Sequence, residues 1–189
     1  MTALPWVATL GGPLLIIPAS LAAAWRGTDP PLDERRARAL ATGWTYLDPP
    51  SDYDRACLDL DHTHVEEFEA CGSLRVGDGR ALVLDNETST TGVVWRDGAV
   101  LLRGEEVATI ADAHALLLTI AEERWRPTAL TLELGDGGLL AFDAAFPGHA
   151  DPAAIEADYG VLHLPLAPGR YAVHCAVRPG RGYLLRFSK

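Results

Sequence analysis

Short apolar segments separated by glycine-containing turns dominate this chain from residue 71 onward, and this pattern restricts the fold more than any other feature. In the clearest example, Gly92–Arg96 and Ala99–Arg103 flank the pair Asp97-Gly98, which is typical of the turn in a β-hairpin. Gly77, Asp78 and Gly79 similarly separate two further segments. The predicted strands are Leu14–Ile17, Ser73–Val76, Arg80–Asp85, Gly92–Arg96, Ala99–Arg103, Ala129–Leu134, Leu139–Phe142, Val161–Leu166, Tyr171–Val177 and Tyr183–Phe187.

Helical signals are fewer than strand signals. The clearest covers Ala111–Arg124, where apolar residues recur at helical spacing, Thr109 is placed to cap the N-terminus and Pro127 prevents continuation. The other predicted helices are a short one that opens at Pro18 or Ser20 and ends at Trp25, and the segments Asp33–Ala41, Tyr53–Leu58 (capped by Ser51) and Pro152–Asp158. Consecutive hairpins with few helices predict an α+β fold: a single domain over residues 1–189, with a mainly antiparallel sheet and a few packed helices.

Residues 13–24 have the apolar and small residues of a secretory signal core. However, no lysine or arginine precedes them, Pro13 and Pro18 interrupt the run, and the segment is too short to span a bilayer. We therefore expect a buried strand followed by a short helix, in a cytoplasmic protein.

Negative charge is concentrated in one segment of the chain. Asp48–Glu69 holds eight carboxylates and one arginine, a net charge of −7, whereas the whole chain carries −10. Such a concentration destabilises the compact state through self-repulsion and favours a cationic partner or an ion. A sequence pI near 4.9, with no extended basic cluster, argues against nucleic-acid binding.

Patterns for catalysis and metal binding are weak. The sequence contains no nucleophile elbow, phosphate-binding loop or dinucleotide fingerprint, so we expect neither an enzyme nor a bound cofactor. His62 and His64 lie two residues apart and can chelate a transition metal, but they can equally be neutral imidazoles in a polar segment. His114 is expected to be a satisfied core histidine. The three cysteines, far apart and odd in number, predict thiols and not a disulfide framework.

Four motifs are informative as an ordered set. They are Trp6–Pro18 leading to Trp25-Arg26-Gly27, Ser51–Cys57, Ala81–Thr91 and Leu166–Val173. In this order they resemble the immunity protein 21 family of bacterial polymorphic toxin systems, over a span from Trp6 to Arg178. The resemblance implies an α+β fold and a non-catalytic protein that neutralises a toxin encoded beside it. The segment Asp59–Glu69 departs locally from the family, because it is richer in histidine and glutamate.

The resemblance and the charge together predict a binding surface. Many toxins of these systems attack nucleic acid through a cationic face, so we expect a nuclease-type toxin as partner, with no nucleic acid and no membrane bound directly. The predicted contact residues are Asp52, Asp54, Asp59, Asp61, Glu66, Glu67 and Glu69. Two alternatives stay open. The run can be a solvated loop in which Asp52 or Asp54 caps a helix or pairs with Arg55, or the protein can be a small-molecule or metal-binding regulatory module that uses His62 and His64.

Overall fold

Twelve β-strands in two sheets form the framework of the structure, a computed structural model that describes residues 3–9, 11–28, 51–58, 61–62 (backbone only), 71–84, 88–148, 160–178 and 182–189. The strands are β1 (Trp6–Val7), β2 (Leu14–Pro18), β3 (Asp61–His62), β4 (Cys71–Val76), β5 (Gly79–Leu84), β6 (Thr90–Trp95), β7 (Gly98–Arg103), β8 (Arg126–Leu134), β9 (Leu139–Asp143), β10 (Leu162–Leu164), β11 (Gly169–Arg178) and β12 (Gly182–Ser188). The helices are α1 (Asp52–Leu58), α2 (Ile110–Leu118) and two 3-10 helices, Ala19–Ala24 and Glu122–Arg124.

Each sheet has six strands, and every strand pairing in the described residues is antiparallel. The first sheet has the order β1-β6-β7-β12-β11-β8, and the second has the order β10-β9-β2-β5-β4-β3. The predicted antiparallel α+β character is confirmed, but the strands form two sheets where the sequence predicted one. That residues 1–189 form a single domain stays a prediction.

The two sheets pack face to face around the main core. Leu101 and Leu185 of the first sheet belong to one buried cluster with Ile16 and Leu82 of the second. The neighbouring positions in β7, such as Leu102, point the other way and pack with α2. All six residues of β7 are buried because both faces of the first sheet are covered there, which explains why this strand lacks polar alternation.

The β6–β7 hairpin differs from its prediction in the position of the turn. Trp95 pairs with Gly98, so the two turn residues are Arg96 and Asp97, and Arg96 adopts a left-handed φ of 54°. Gly98 lies in the strand, where a Cβ atom would come within 1.7 Å of the carbonyl oxygen of Phe187. This glycine therefore permits close approach of β12 and does not form the turn. The β4–β5 hairpin has its turn at Gly77-Asp78, within the predicted glycine-rich segment.

Strands β8 and β9 exist as predicted, but the expectation that consecutive strands form hairpins is wrong here. β8 pairs with β11 in the first sheet, whereas β9 pairs with β2 and β10 in the second. The intervening turn includes Gly137 and Gly138, whose φ values are 91° and 74°. A Cβ at Gly138 would approach the carbonyl oxygen of Leu164 to 2.3 Å, so the turn packs directly on the end of β10 as it carries the chain between sheets.

The predicted helix Ala111–Arg124 is too long. α2 ends at Leu118, and the next helical turn, Glu122–Arg124, is a separate 3-10 helix. Thr119 accounts for the end, because its hydroxyl donates to the Leu116 carbonyl oxygen at 2.7 Å and competes with the helical pattern. The capping box at the start, formed by Thr109 and Asp112, is confirmed with an aspartate in the usual glutamate position.

The remaining helical predictions have mixed outcomes. The apolar segment after Pro13 forms the fully buried β2 followed by the 3-10 helix, as expected, and α1 begins one residue before its predicted start. The predicted helices Asp33–Ala41 and Pro152–Asp158 lie outside the described residues.

His114 is half-buried, with Nε2 3.3 Å from the Val94 carbonyl oxygen and its ring against Trp95. Within the described ranges, no helix has the length and apolar character needed to cross a bilayer.

Candidate functional site

The acidic segment begins at α1, where Asp54 and Ser51 cap the helix reciprocally. Asp54 Oδ2 accepts hydrogen bonds from the Ser51 backbone N–H at 2.8 Å and from the Ser51 hydroxyl at 2.7 Å. The Asp54 N–H donates to Ser51 Oγ at 3.1 Å. This arrangement is a capping box, and the predicted capping role of Ser51 is confirmed.

Asp52 connects α1 to two other parts of the fold. Its Oδ2 accepts from the Arg26 backbone N–H at 2.8 Å, and its Oδ1 lies 2.9 Å from Arg55 Nη1. Arg55 also donates from Nη2 to the Arg75 carbonyl oxygen on β4 at 2.8 Å. Asp52 and Asp54 are both partly exposed, so their charge reaches solvent although their oxygens make internal hydrogen bonds.

The opposite side of α1 is apolar and packs on the outer face of the second sheet. Ala56 is buried in a cluster with Leu15, Trp25 and Val83, and Tyr53 packs at its edge. Burial, and to a smaller extent the neighbouring Cys57, raises the pKa of Tyr53 to about 12, so its hydroxyl stays neutral at physiological pH. α1 is therefore a firmly seated element that carries charged side chains on its outer side.

Of the remaining predicted contact residues, only Asp61 lies within the described ranges. Asp61 is in β3, the edge strand of the second sheet, and pairs with Ser73 of β4. Because Arg55 also bonds to β4, the same strand supports both α1 and β3. The residues that lie outside the described ranges are Asp59, Glu66, Glu67 and Glu69.

The metal and thiol predictions have separate outcomes. Among the described residues, no group of three or more histidine, cysteine, aspartate or glutamate side chains is placed to hold a metal ion. The side chains of His62 and His64 are outside the described set, so the metal hypothesis stays a prediction. All three cysteines are described and none forms a disulfide, as expected; Cys57 is exposed, and the other two are buried.

A second acidic feature was missed by sequence analysis. Glu105 follows β7 and forms an ion pair with Arg178 at the end of β11, with Oε2 2.6 Å from Nη1. Glu105 is only 5% exposed and lines a cleft together with Glu106. The two ion-pair partners are 73 positions apart, so the only local signal was a pair of glutamates after a predicted strand.

The described fold and site together define a predominantly antiparallel, two-sheet protein with a short, charged helix seated on the outer face of one sheet. The chain belongs to the immunity protein 21 family, whose family model matches residues 5–182. The predicted resemblance is thereby confirmed over nearly the whole length of the chain. No curated protein and no solved structure shows significant similarity to it.

Proposed function

We propose that this protein neutralises a cognate toxin by binding it directly, in a stoichiometric complex, through the acidic segment. The observation that carries the proposal is membership of an immunity protein family combined with −7 of the −10 net charge in residues 48–69. The partner that fits such a surface is a protein with a cationic face, such as a nuclease-type toxin domain in the cytoplasm. In this proposal the immunity protein itself acts by binding and not by catalysis, and it binds neither nucleic acid nor membrane.

The two ends of the acidic segment have different roles in this proposal. Asp52 and Asp54 use their oxygens to hold α1, so they contribute mainly through their electric field. The direct contacts are assigned to the later carboxylates, which are Asp59, Asp61, Glu66, Glu67 and Glu69. A localised charge of this kind raises the association rate with a cationic partner about 10-fold to 1,000-fold at low salt, and salt screens the effect.

The test uses the protein encoded by the neighbouring open reading frame as the partner. Association is measured by stopped flow at low and high salt for a variant in which the five later carboxylates are changed to Asn or Gln. A matched control neutralises five exposed carboxylates elsewhere, which are Asp78, Asp97, Glu123, Glu133 and Asp136. Both variants have the same net charge, so any difference between them depends on where the charge lies.

We expect the first variant to associate at least about tenfold more slowly than the control at low salt, and the two rates to converge at high salt. Equal rates for the two variants would contradict an acidic binding surface at this position. Absence of any complex with the neighbouring toxin would contradict the proposed function as a whole.

A further inference from the structure

We propose that a groove beside the end of β11 accepts an extended segment of the partner toxin, which adds to the first sheet as a short strand. The identity of this occupant rests on the proposed function, but the groove is formed by residues outside the acidic segment. It has a volume of about 520 Å³ and is lined by residues 119–121, 123–124 and 176–178. It would therefore be a second point of contact for the same partner.

The groove exists because β8 does not extend along the whole of β11. β8 begins at Arg126, which pairs with Cys175. Just before it, the Arg124 N–H donates to the Ala121 carbonyl oxygen at 3.0 Å, so the chain coils into the 3-10 helix and leaves the sheet. Residues 176–178 of β11 therefore pair with β12 on one side and face the groove on the other.

Val177 presents a free backbone donor and acceptor to the groove. The N–H and C=O groups of successive residues in a strand point alternately to its two neighbours. The Val173 carbonyl oxygen accepts from the Thr128 hydroxyl of β8 at 2.8 Å, so the groups of Val177, four residues on, point to the same side. Neither group has a hydrogen-bond partner within the described ranges. Val177 lines the groove and is 39% exposed, so an incoming chain can reach both groups.

Backbone pairing, and not charge, determines what fits the groove. An extended residue opposite Val177 would exchange two hydrogen bonds with it, as in an antiparallel pair. The charges of the lining balance, because Glu123 and Arg124 are of opposite sign and Arg178 lies 2.6 Å from Glu105. The exposed β-branched side chain of Val177 favours another β-branched side chain directly opposite. The ligand is therefore an uncharged, strand-forming segment.

The occupant has to be a free extended segment, such as a loop or a chain terminus. An added strand lies about 4.8 Å from its neighbour, and residues 119–121 and 123–124 form the opposite wall of the groove. A strand that already belongs to a sheet would bring its own neighbours against that wall. Each described strand of this fold is paired within a sheet, so those of a second copy do not fit.

The groove lies on the same side of the sandwich as the acidic segment. β8, in whose line the groove continues, is the edge of the first sheet and lies over β2 and β5. Beyond β5 on that side, the second sheet continues through β4 to β3, which contains Asp61 of the acidic segment. A toxin held at the acidic segment can therefore also supply the extended segment.

The first test uses a peptide and does not depend on the toxin. The full chain, labelled with nitrogen-15, is titrated with a blocked pentapeptide of alternating threonine and valine and followed by NMR. The matched probe carries an N-methyl group on every residue, which removes each N–H donor but keeps the side chains and the charge. We expect the first peptide to shift the Val177 amide signal and those of residues 119–124, and to bind at least about tenfold more tightly. Absence of these shifts, or equal affinity for both peptides, would overturn the proposal.

Two variants at one position show whether the strand edge is responsible. Val177→Pro removes the N–H and places the ring towards the groove, and because that N–H points away from β12 no bond of the sheet is lost. Val177→Thr keeps the N–H and the β-branched shape. The proline variant should weaken peptide binding by about tenfold or more, and the threonine variant should leave it unchanged. Unchanged binding in the proline variant would overturn the proposal; if that variant misfolds, the two peptides decide with the natural chain.

The complex with the neighbouring toxin separates this inference from the proposed function. Hydrogen exchange of the Val177 amide should slow by about tenfold or more in the complex, and Val177→Pro should weaken the complex by about tenfold while Val177→Thr does not. An undiminished complex in the proline variant would refute the toxin as occupant and leave toxin neutralisation intact. Peptide binding without any toxin complex would contradict both the proposed function and the toxin as occupant. Self-association without toxin that Val177→Pro abolishes would identify a second copy as occupant and overturn the proposal.

Discussion

Ser51 and Asp54 are expected to stabilise the fold through bonds to each other, because they close the N-terminus of α1 with three mutual hydrogen bonds. Ser51→Ala removes the hydroxyl that donates to Asp54 Oδ2 at 2.7 Å and accepts from the Asp54 N–H at 3.1 Å. Asp54→Ala removes the carboxylate that accepts from both the hydroxyl and the backbone N–H of Ser51. Ser51→Ala leaves every charge in place, so its effect on stability is free of electrostatic changes to the surface.

The size of each effect follows from burial. Loss of an N-cap side chain costs about 0.5–2 kcal/mol, and because Ser51 is only 2% exposed we expect about 1.5–2 kcal/mol for Ser51→Ala. Asp54→Ala removes hydrogen bonds to a charged group, which contribute about 1.5–3 kcal/mol. The hydroxyl–carboxylate bond is lost in both single variants. The double variant should therefore cost about 1 kcal/mol less than their sum.

Urea unfolding at 25 °C, followed by tryptophan fluorescence, measures these free energies, provided that the slope m is unchanged among variants. The matched control is the box at α2, where the Thr109 hydroxyl donates to Asp112 Oδ2 at 2.7 Å on an exposed surface. Thr109→Ala there should cost only about 0.5–1 kcal/mol. Effects of Ser51→Ala and Asp54→Ala that add within about 0.3–0.5 kcal/mol would refute the reasoning, because independent sites behave in that way.

Three further outcomes are expected from single side chains. Gly98→Ala should destabilise the fold by about 3 kcal/mol or more, because a Cβ would meet the Phe187 carbonyl oxygen at 1.7 Å; a loss under about 1 kcal/mol in urea unfolding would contradict this contact. Ellman's reagent should modify one thiol per native chain, the exposed Cys57, since burial raises the pKa of Cys71 to about 12 and the third thiol is also buried. All three thiols should react in denaturant, and rapid reaction of more than one in the native protein would be inconsistent with the packing. Burial lowers the pKa of His174 below its ordinary value of 6.5. As the pH falls through about 6.5, the unfolded chain therefore binds a proton that the folded chain does not yet bind, and the free energy of unfolding should decrease. His174→Gln should reduce this pH dependence, and an unaltered dependence would show that another group is responsible.

The strands were largely predictable because their signals are local. The run Leu14–Ile17 is entirely apolar and bounded by proline, and it forms a strand in which every residue is buried. Hairpin turns were found to within a residue or two for the same reason. The turn at Arg96 and Asp97 lies one residue before its predicted position. No local pattern shows that Gly98 lies against the carbonyl oxygen of Phe187 on β12, far along the chain.

The assignment of strands to sheets could not be predicted from the same signals. A glycine-rich turn after Leu134 indicates that the chain reverses, but the partners of β8 and β9 are decided by packing against distant strands. The candidate site likewise combines one feature with a local sequence signal and one that depends on residues far apart in the chain. The capping role of Asp54 follows from Ser51 three residues earlier, whereas the ion pair of Glu105 with Arg178 joins two segments that nothing in the sequence connects.

The two sheets are interleaved along the chain, and this determines the order in which the protein can be assembled. β2 lies between β5 and β9, with Leu14 paired to Asp143, and the first sheet places β12 between β7 and β11. A nascent chain leaving the ribosome therefore cannot finish the second sheet before β10 is synthesised, or the first sheet before β12, and contacts this distant in sequence form slowly. A chain stopped before β12 lacks an interior strand of the first sheet, so we expect the folded protein to form only once β12 has been synthesised.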